Sequence, residues 1–222
     1  RGDNNAINSN AHNLLEIQSF GSMGLSEWAF EGCKNLRKLS EIDIPDSTKL
    51  TNMDGMFFMN CSLNAPMNQW DVSHVTSMTQ TFRMVSWNEQ ICDDNKTIPA
   101  FNPPLNHWDV SNVTSMQEMF MGASDFNQPL NDWDVSKVQK MNGMFARTSF
   151  NKSLDNWKLE SIESTASMFQ GNTNFKQSLI AWTNYIPQIN DMHAMFSGAV
   201  AFKDNISSWK PNPQAKLCDM LR

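Results

Sequence analysis

A repeat of about 25 residues limits what this chain can fold into. The stretch "FNQPLNDWDVSKVQKMNGMF" begins at Phe126, and "FNPPLNHWDVSNVTSMQEMF" begins at Phe101 with the same apolar offsets. Tryptophans recur in this frame at intervals of 38, 25, 24, 25 and 27 residues, at Trp70, Trp108, Trp133, Trp157, Trp182 and Trp209. The first interval is 25 plus 13, and the surplus lies in an insertion at 87–99. A fixed period predicts similar units that stack and bury each other's apolar faces.

Within one unit the apolar spacing changes from one period to another. Leu130, Trp133 and Val135 follow the L-x-x-L-x-L pattern, in which alternation indicates a short strand. Segment 138–145 then has apolar residues at i, i+3, i+6 and i+7, which is one face of a two-turn helix, and Ser136 precedes it as an N-cap. The sequence thus predicts an α/β repeat solenoid of leucine-rich-repeat-like coils, each a short strand plus a short helix.

The repeats fill most of one predicted domain, 1–222. About seven coils are expected over 30–210, with an N-terminal cap at 1–29 and a C-terminal cap at 211–222. Ile42 occupies the tryptophan slot of the first coil. In the C-terminal cap, Leu217, Met220 and Leu221 fall on one side of a short predicted helix.

The recurring Trp, Met and Phe residues have a structural interpretation. Their slots repeat in every unit, so stacking should align them into columns of core residues, and a methionine metal site or an aromatic ligand cage is the less favoured alternative. The asparagines at Asn102, Asn127 and Asn151 are expected to form a side-chain ladder that satisfies backbone groups at a bend.

Charge and composition restrict the partners. A net charge of −6 argues against a nucleic-acid partner and favours a partner with a basic surface. The chain has no run of 18 apolar residues, so no transmembrane segment is expected. Four cysteines without a CxxC pair give no reason to expect a metal or another cofactor. The start at Arg1 indicates a processed or trimmed product.

The outward positions between the inward strand residues are the first candidate binding surface. They form a column of Asp71, Asp109, Asp134 and Lys158, flanked by His107 and Asp132. Each aspartate in a "DVS" triplet could bond the neighbouring serine or backbone, contact a basic partner, or ligate calcium, although no calcium-loop motif is present. These outward residues vary between units far more than the core does, as in a binding surface.

The insertion is the second candidate surface, because inserted loops often carry contacts. Its candidate binding residues are Trp87, Asp93 and Asp94. A disulfide from Cys61 to Cys92 would pin the loop, and Cys33 to Cys61 is the alternative pairing, between which the sequence does not choose.

The sequence contains none of the common catalytic motifs considered next. The chain lacks G-x-S-x-G, H-E-x-x-H, P-loop and G-x-G-x-x-G patterns, and its four histidines occupy different positions in the repeat. Stacked carboxylates could serve acid-base chemistry on a polysaccharide. They belong to a repeated column rather than to a unique constellation, so the chain is predicted not to be an enzyme.

The repeat motif resembles that of bacterial and protist surface proteins related to BspA-like leucine-rich repeats, including mycoplasma surface lipoproteins. "AFEGCKNLRKLSEIDIPDSTKL" is similar to the BspA-type repeat itself, and together the resemblances cover about 28–209. The resemblance implies protein binding, as in adhesion or ligand recognition, by a secreted or cell-surface protein. The alternatives are an accessory subunit that braces a larger complex, as a processed organellar protein, and a polysaccharide-active enzyme.

Overall fold

The chain folds into stacked turns. The structure, a computed structural model, describes residues 13–21, 24–84 and 101–222. These residues form 3₁₀ helices at Ser47–Lys49, Ile180–Trp182 and Ile186–Gln188, but no α-helix or extended β-strand. Parallel pairing in these ranges is confined to isolated bridges. The predicted α/β solenoid of leucine-rich-repeat-like coils, each a strand plus a helix, is therefore wrong.

Backbone hydrogen bonding explains why segment 138–145 is not a helix. Alternate N–H groups donate to the next repeat: Met141 to Ser164 at 3.0 Å, Gly143 to Ala166 at 2.8 Å and Phe145 to Met168 at 2.9 Å. The N–H of Met144, which lies between two of these donors, closes a local i to i−3 turn with Met141 at 3.2 Å. Gly143 and Arg147 have φ values of 62° and 55°, in the left-handed region that interrupts a right-handed helix. The segment is therefore a series of turns, and the N–H groups of Met141, Gly143 and Phe145 bond it to the next repeat.

The predicted strand at 130–135 is likewise replaced by turns. The N–H of Trp133 donates to Leu130 at 3.1 Å, and that of Val138 donates to Val135 at 3.0 Å. These N–H groups are used within the repeat and cannot form a ladder between repeats.

One residue of each repeat forms the parallel bridges. One bridge joins Glu16 to Lys38, and the others run in series from Asn52 through Ser77, Ser115, Lys140, Ser164 and Asp191 to Lys216. We call each repeat, starting at its bridge residue, a layer. Because the bridge position recurs in every layer, like residues of successive layers lie next to one another.

The core consists of columns of like side chains, as predicted. Phe30, Phe57, Phe82, Phe120, Phe145, Phe169 and Phe196 form one column, with neighbouring ring centroids 5.4 to 5.9 Å apart. A second column contains Phe101, Phe126, Phe150, Phe175 and Phe202. Met141 and Met144 are fully buried, and the six repeated tryptophans are all buried. The core interpretation of the Trp, Met and Phe slots is confirmed.

The asparagine ladder is also confirmed. The side-chain oxygen of Asn102 accepts the N–H of Asn127 at 2.9 Å, and that of Asn127 accepts the N–H of Asn151 at 2.9 Å. Asn64 and Lys176 extend the ladder at its two ends. Each amide therefore satisfies a backbone donor of the next layer, which fixes the spacing of the layers at this bend.

The two ends of the stack differ from the prediction. Ile42, expected in the tryptophan slot, is 97% exposed, and the ring of Phe20 lies instead 5.6 Å from that of Trp70. The helix predicted around Leu217 to Leu221 is absent, because Lys216 forms a bridge with Asp191 and the segment continues the turn pattern.

Candidate functional site

The three predicted aspartates share one local geometry. Asp71, Asp109 and Asp134 are exposed, and each follows a buried tryptophan and precedes a buried valine. In each case Oδ1 accepts the N–H of the serine two residues later at 3.0 Å. The hydrogen-bonded interpretation of the "DVS" triplets is confirmed. The turn holds each carboxylate at the surface in a fixed orientation.

The same hydrogen bonds stabilise the charged form of two of these carboxylates. Hydrogen bonds from Ser136 lower the pKa of Asp134, and the positive charges of Lys158 and Lys137 lower it further. Hydrogen bonds from Ser73 lower the pKa of Asp71 in the same way. Asp134 and Asp71 therefore remain negative at pH values where an ordinary aspartate begins to protonate.

Asp132, Asp134 and Lys158 lie together in an open groove. The groove has a volume of about 500 Å³ and spans two neighbouring layers. Its other side-chain contributors are Asn131, Ser136, Asn156 and Glu160. Three carboxylates and one ammonium group line it, so the groove is net negative.

The other outward residues lie outside this groove. Asp71 and Asp109 are in earlier layers of the same column, and exposed His107 has its Nε2 atom 3.4 Å from the Asn106 side chain. Of the predicted outward residues, Asp132, Asp134 and Lys158 therefore line the groove. Asp71, Asp109 and His107 lie on the exposed surface outside it.

The predicted loop site lies outside the described residues. This holds for Trp87, Asp93, Asp94 and Cys92. Cys61 is disulfide-bonded, whereas Cys33 is a buried free thiol, so the alternative pairing of Cys33 with Cys61 is wrong. The pairing of Cys61 with Cys92 stays a prediction.

A buried ion pair was missed from the sequence. Nη1 of Arg83 lies 2.5 Å from Oε2 of Glu118, and the two side chains are 3% and 8% exposed. Gln80 donates to the same carboxylate oxygen at 2.7 Å, and the Arg83 guanidinium lies 5.7 Å from the centre of the Phe58 ring. Glu118 follows the insertion in sequence and Arg83 precedes it, so the pair ties two layers together across the insertion.

The described ranges contain neither a cluster of metal-ligating side chains nor a helix that could span a membrane. Within residues 13–21, 24–84 and 101–222, no group of three or more His, Cys, Asp or Glu side chains could hold a metal ion. No helix in those ranges is long and apolar enough to span a membrane.

Comparison with known proteins gives a family but no characterised relative. The family described as "Mycoplasma protein of unknown function, DUF285" matches residues 25–97 and 94–185. No curated protein matches the chain. No solved structure matches it either. The two family matches together cover well over half of the 222 residues, including the layers that form the groove. The chain belongs to this DUF285 family.

Proposed function

We propose that the protein is a noncatalytic binding module that recognises a protein partner with a basic surface. The observation that carries this proposal is the groove at 131–136 and 156–160, where side chains that vary between repeats surround an open depression. The neighbouring core positions are occupied by the same residue types in layer after layer. Variable polar residues on a constant core are typical of repeat proteins that bind other molecules.

The net negative charge of the groove supports a partner with a basic surface. Asp132, Asp134 and Glu160 contribute negative charge, and Lys158 offsets only one of the three. The Asp134 carboxylate accepts the Ser136 N–H through Oδ1 at 3.0 Å and is exposed at the surface. A lysine or arginine of a partner can bind there through charge-assisted hydrogen bonds.

The groove is held in shape before any partner binds. Trp133 and Val135 anchor its floor in the core and are 3% and 1% exposed. Beside it, Nζ of Lys137 donates to the side chain of Asn112 at 2.6 Å, and Asn112 donates to the Ser73 carbonyl at 2.9 Å. These contacts join three layers along the surface, which lowers the entropy lost on binding.

A secreted or cell-surface setting is part of the proposal. The Cys61 disulfide supports it, because disulfides persist mainly in oxidising compartments. The resemblance of the repeat to BspA-like surface proteins supports adhesion or ligand recognition there. Cell-surface protease digestion of the native source should release the protein.

The groove can be tested with a defined basic probe. We expect a lysine-rich peptide to bind the chain in titration calorimetry, and a glutamate-rich peptide of equal length not to bind. Replacing Asp132 and Asp134 together by asparagine should raise the dissociation constant of the lysine-rich peptide about tenfold, since two attractive charges are lost. Added salt should weaken the wild-type interaction.

A matched control removes two charges elsewhere. Asp125→Asn with Glu163→Gln changes exposed carboxylates outside the groove and should leave the affinity within about twofold of the wild type. If both double variants lost the same peptide affinity, binding would depend on net charge alone, and the groove would not be the binding site. The accessory-subunit alternative makes a different prediction. It would be supported if the protein co-purified with other subunits at a fixed stoichiometry and if the Asp132 and Asp134 double variant formed the same complex.

A further inference from the structure

We infer that the groove takes an extended segment of the partner, laid along the stack, whose basic side chains face Asp109 and Asp134 and whose apolar end contacts Ile180. This binding mode rests on the proposed function and goes beyond it, because it gives the order in which the partner's side chains occur. Three features support it: the register of the stack, the order of charges in one column, and an exposed apolar pair that continues the groove.

The outward side chains at the groove are stacked in register. The indole N–H groups of Trp133, Trp157 and Trp182 donate to leucine carbonyls of the preceding layer at 3.0, 2.8 and 3.2 Å. These bonds hold equivalent positions of neighbouring layers side by side. The residues that directly follow the tryptophans of four successive layers therefore form one column, which consists of Asp109, Asp134, Lys158 and Thr183.

This column changes sign inside the groove. Asp109 and Asp134 are exposed carboxylates, whereas the same slot of the next layer holds the exposed ammonium group of Lys158. Lys158 repels a third basic side chain in line with the first two and attracts an acidic one. A partner segment with an unbroken run of lysines therefore matches only part of the column.

An apolar pair continues the groove in the layer at 164–190. Ile180 and Ala181 are exposed, and they occupy the slots of Asn131 and Asp132, which line the groove. The side chain of Ile180 is 56% exposed. The polar wall of the groove is thus followed, two layers along the stack, by a surface that an apolar side chain of the partner can cover.

The exposure of Ile180 arises within the stack and not at its end. The next layer lies beside it at this face, because the hydroxyl oxygens of Thr183 and Ser208 are 3.4 Å apart. Ile180 begins the 3₁₀ helix Ile180–Trp182, so this layer has a local turn where the groove layers have none. A described layer is therefore present on each side of the apolar pair.

The spacing of the layers suits an extended chain. The ring centroid of Phe145 lies 5.9 and 5.7 Å from those of Phe120 and Phe169 in the two neighbouring layers. Alternate side chains of an extended segment are about 6.6 Å apart, so the two repeats differ by about 1 Å per layer. Flexible lysine and glutamate side chains can absorb this difference. Alternate residues of the matching segment are therefore basic, basic, acidic and apolar.

Two peptides of identical composition test this order in titration calorimetry with the full chain. Lys-Ser-Lys-Ser-Glu-Ser-Leu presents the four side chains in the inferred order, and Lys-Ser-Leu-Ser-Lys-Ser-Glu does not. Both peptides carry acetylated and amidated ends, which removes the terminal charges. We expect the ordered peptide to bind at least about tenfold more tightly than the scrambled one at low ionic strength.

Two substitutions assign the order to particular positions. Ile180→Ser should raise the dissociation constant of the ordered peptide about fivefold, and should not change that of a peptide with serine in place of leucine. Lys158→Glu should reverse a preference, so that a peptide with lysine in place of glutamate binds more tightly than the ordered peptide. Val200→Ser, at a side chain that is 67% exposed and outside the groove, is the matched control and should bind all peptides like the wild type.

The outcomes separate this binding mode from the proposed function. Equal affinities for the ordered and scrambled peptides would overturn the binding mode, as would an Ile180→Ser variant that weakens the peptides with and without leucine equally. The proposed function would still stand if the lysine-rich peptide bound and if the Asp132 and Asp134 double variant weakened it. A lysine-rich peptide that does not bind would overturn both.

Discussion

Replacing Phe145 by alanine is expected to lower the free energy of unfolding by about 3–5 kcal/mol, the usual range for removing a buried phenylalanine. Its ring is fully buried and lies 4.0 Å, centroid to centroid, from that of Phe150 in its own layer. It also stacks on Phe120 and Phe169 at 5.9 and 5.7 Å. Three layers therefore meet at this ring, and neighbouring layers cannot close the cavity without shifting their hydrogen bonds.

Urea unfolding followed by tryptophan fluorescence measures this effect. Val200→Ala, at an exposed position, is the control and should change the free energy of unfolding by less than about 0.5 kcal/mol. A Phe145→Ala loss below about 1 kcal/mol would mean that the phenylalanine column does not carry the stability assigned to it.

Breaking the buried ion pair is expected to have an effect of similar size. Glu118→Gln removes the carboxylate charge that lies 2.5 Å from the buried Arg83 guanidinium, and we expect a loss of about 3–5 kcal/mol. Burial lowers the pKa of Arg83, and the negative charge of Glu118 opposes that shift. The carboxylate therefore offsets part of the cost of burying the charged guanidinium.

A double-mutant cycle isolates the pair from other contacts of either residue. Arg83→Met combined with Glu118→Gln should be less destabilised than the sum of the single variants, by at least about 1 kcal/mol. Additive losses of unfolding free energy in the same urea experiment would show that the two charges act independently. The ion pair would then not stabilise the contact between the two layers.

The sequence predicts features that depend on residue identity recurring at a fixed period. The columns of Phe145 and Trp157 follow from the period alone, because stacking brings like positions together. The same holds for the ladder through Asn127, whose side chain can reach only the backbone of the adjacent layer. The orientation of Asp134 follows from its position between Trp133 and Val135, two core residues.

The secondary structure was mispredicted because apolar spacing does not report hydrogen bonding. Intervals of three and four residues fit one face of a helix, and they equally fit successive turns that direct the same residues inward. The recurring glycines are the feature of the sequence that argues against a helix. Gly143 occupies one left-handed slot, and Gly122, Gly171 and Gly198 occupy another four residues along, whereas a helix interior would disfavour glycine at either slot.

The ion pair and the groove depend on departures from the repeat. Arg83 and Glu118 have no counterparts in the other layers, so a comparison of repeats treats them as irregularities. The groove forms where Lys158 and Glu160 replace the residues of the "DVS" triplet. Sequence comparison locates these substitutions, but the depression depends on how two particular layers pack.

The change Gly143→Ala tests most directly whether the repeats are stacked turns. Gly143 has a φ of 62°, and a Cβ atom there would lie 3.2 Å from Cγ of Glu118. We expect this variant to lose about 1–2 kcal/mol of unfolding free energy, because alanine is strained in the left-handed region. Gly24→Ala, where a Cβ would meet no atom within 4 Å, is the control and should be near neutral. If segment 138–145 were a helix, Gly143→Ala would instead raise the free energy of unfolding by roughly 0.5–1 kcal/mol, and that result would contradict the stacked-turn fold.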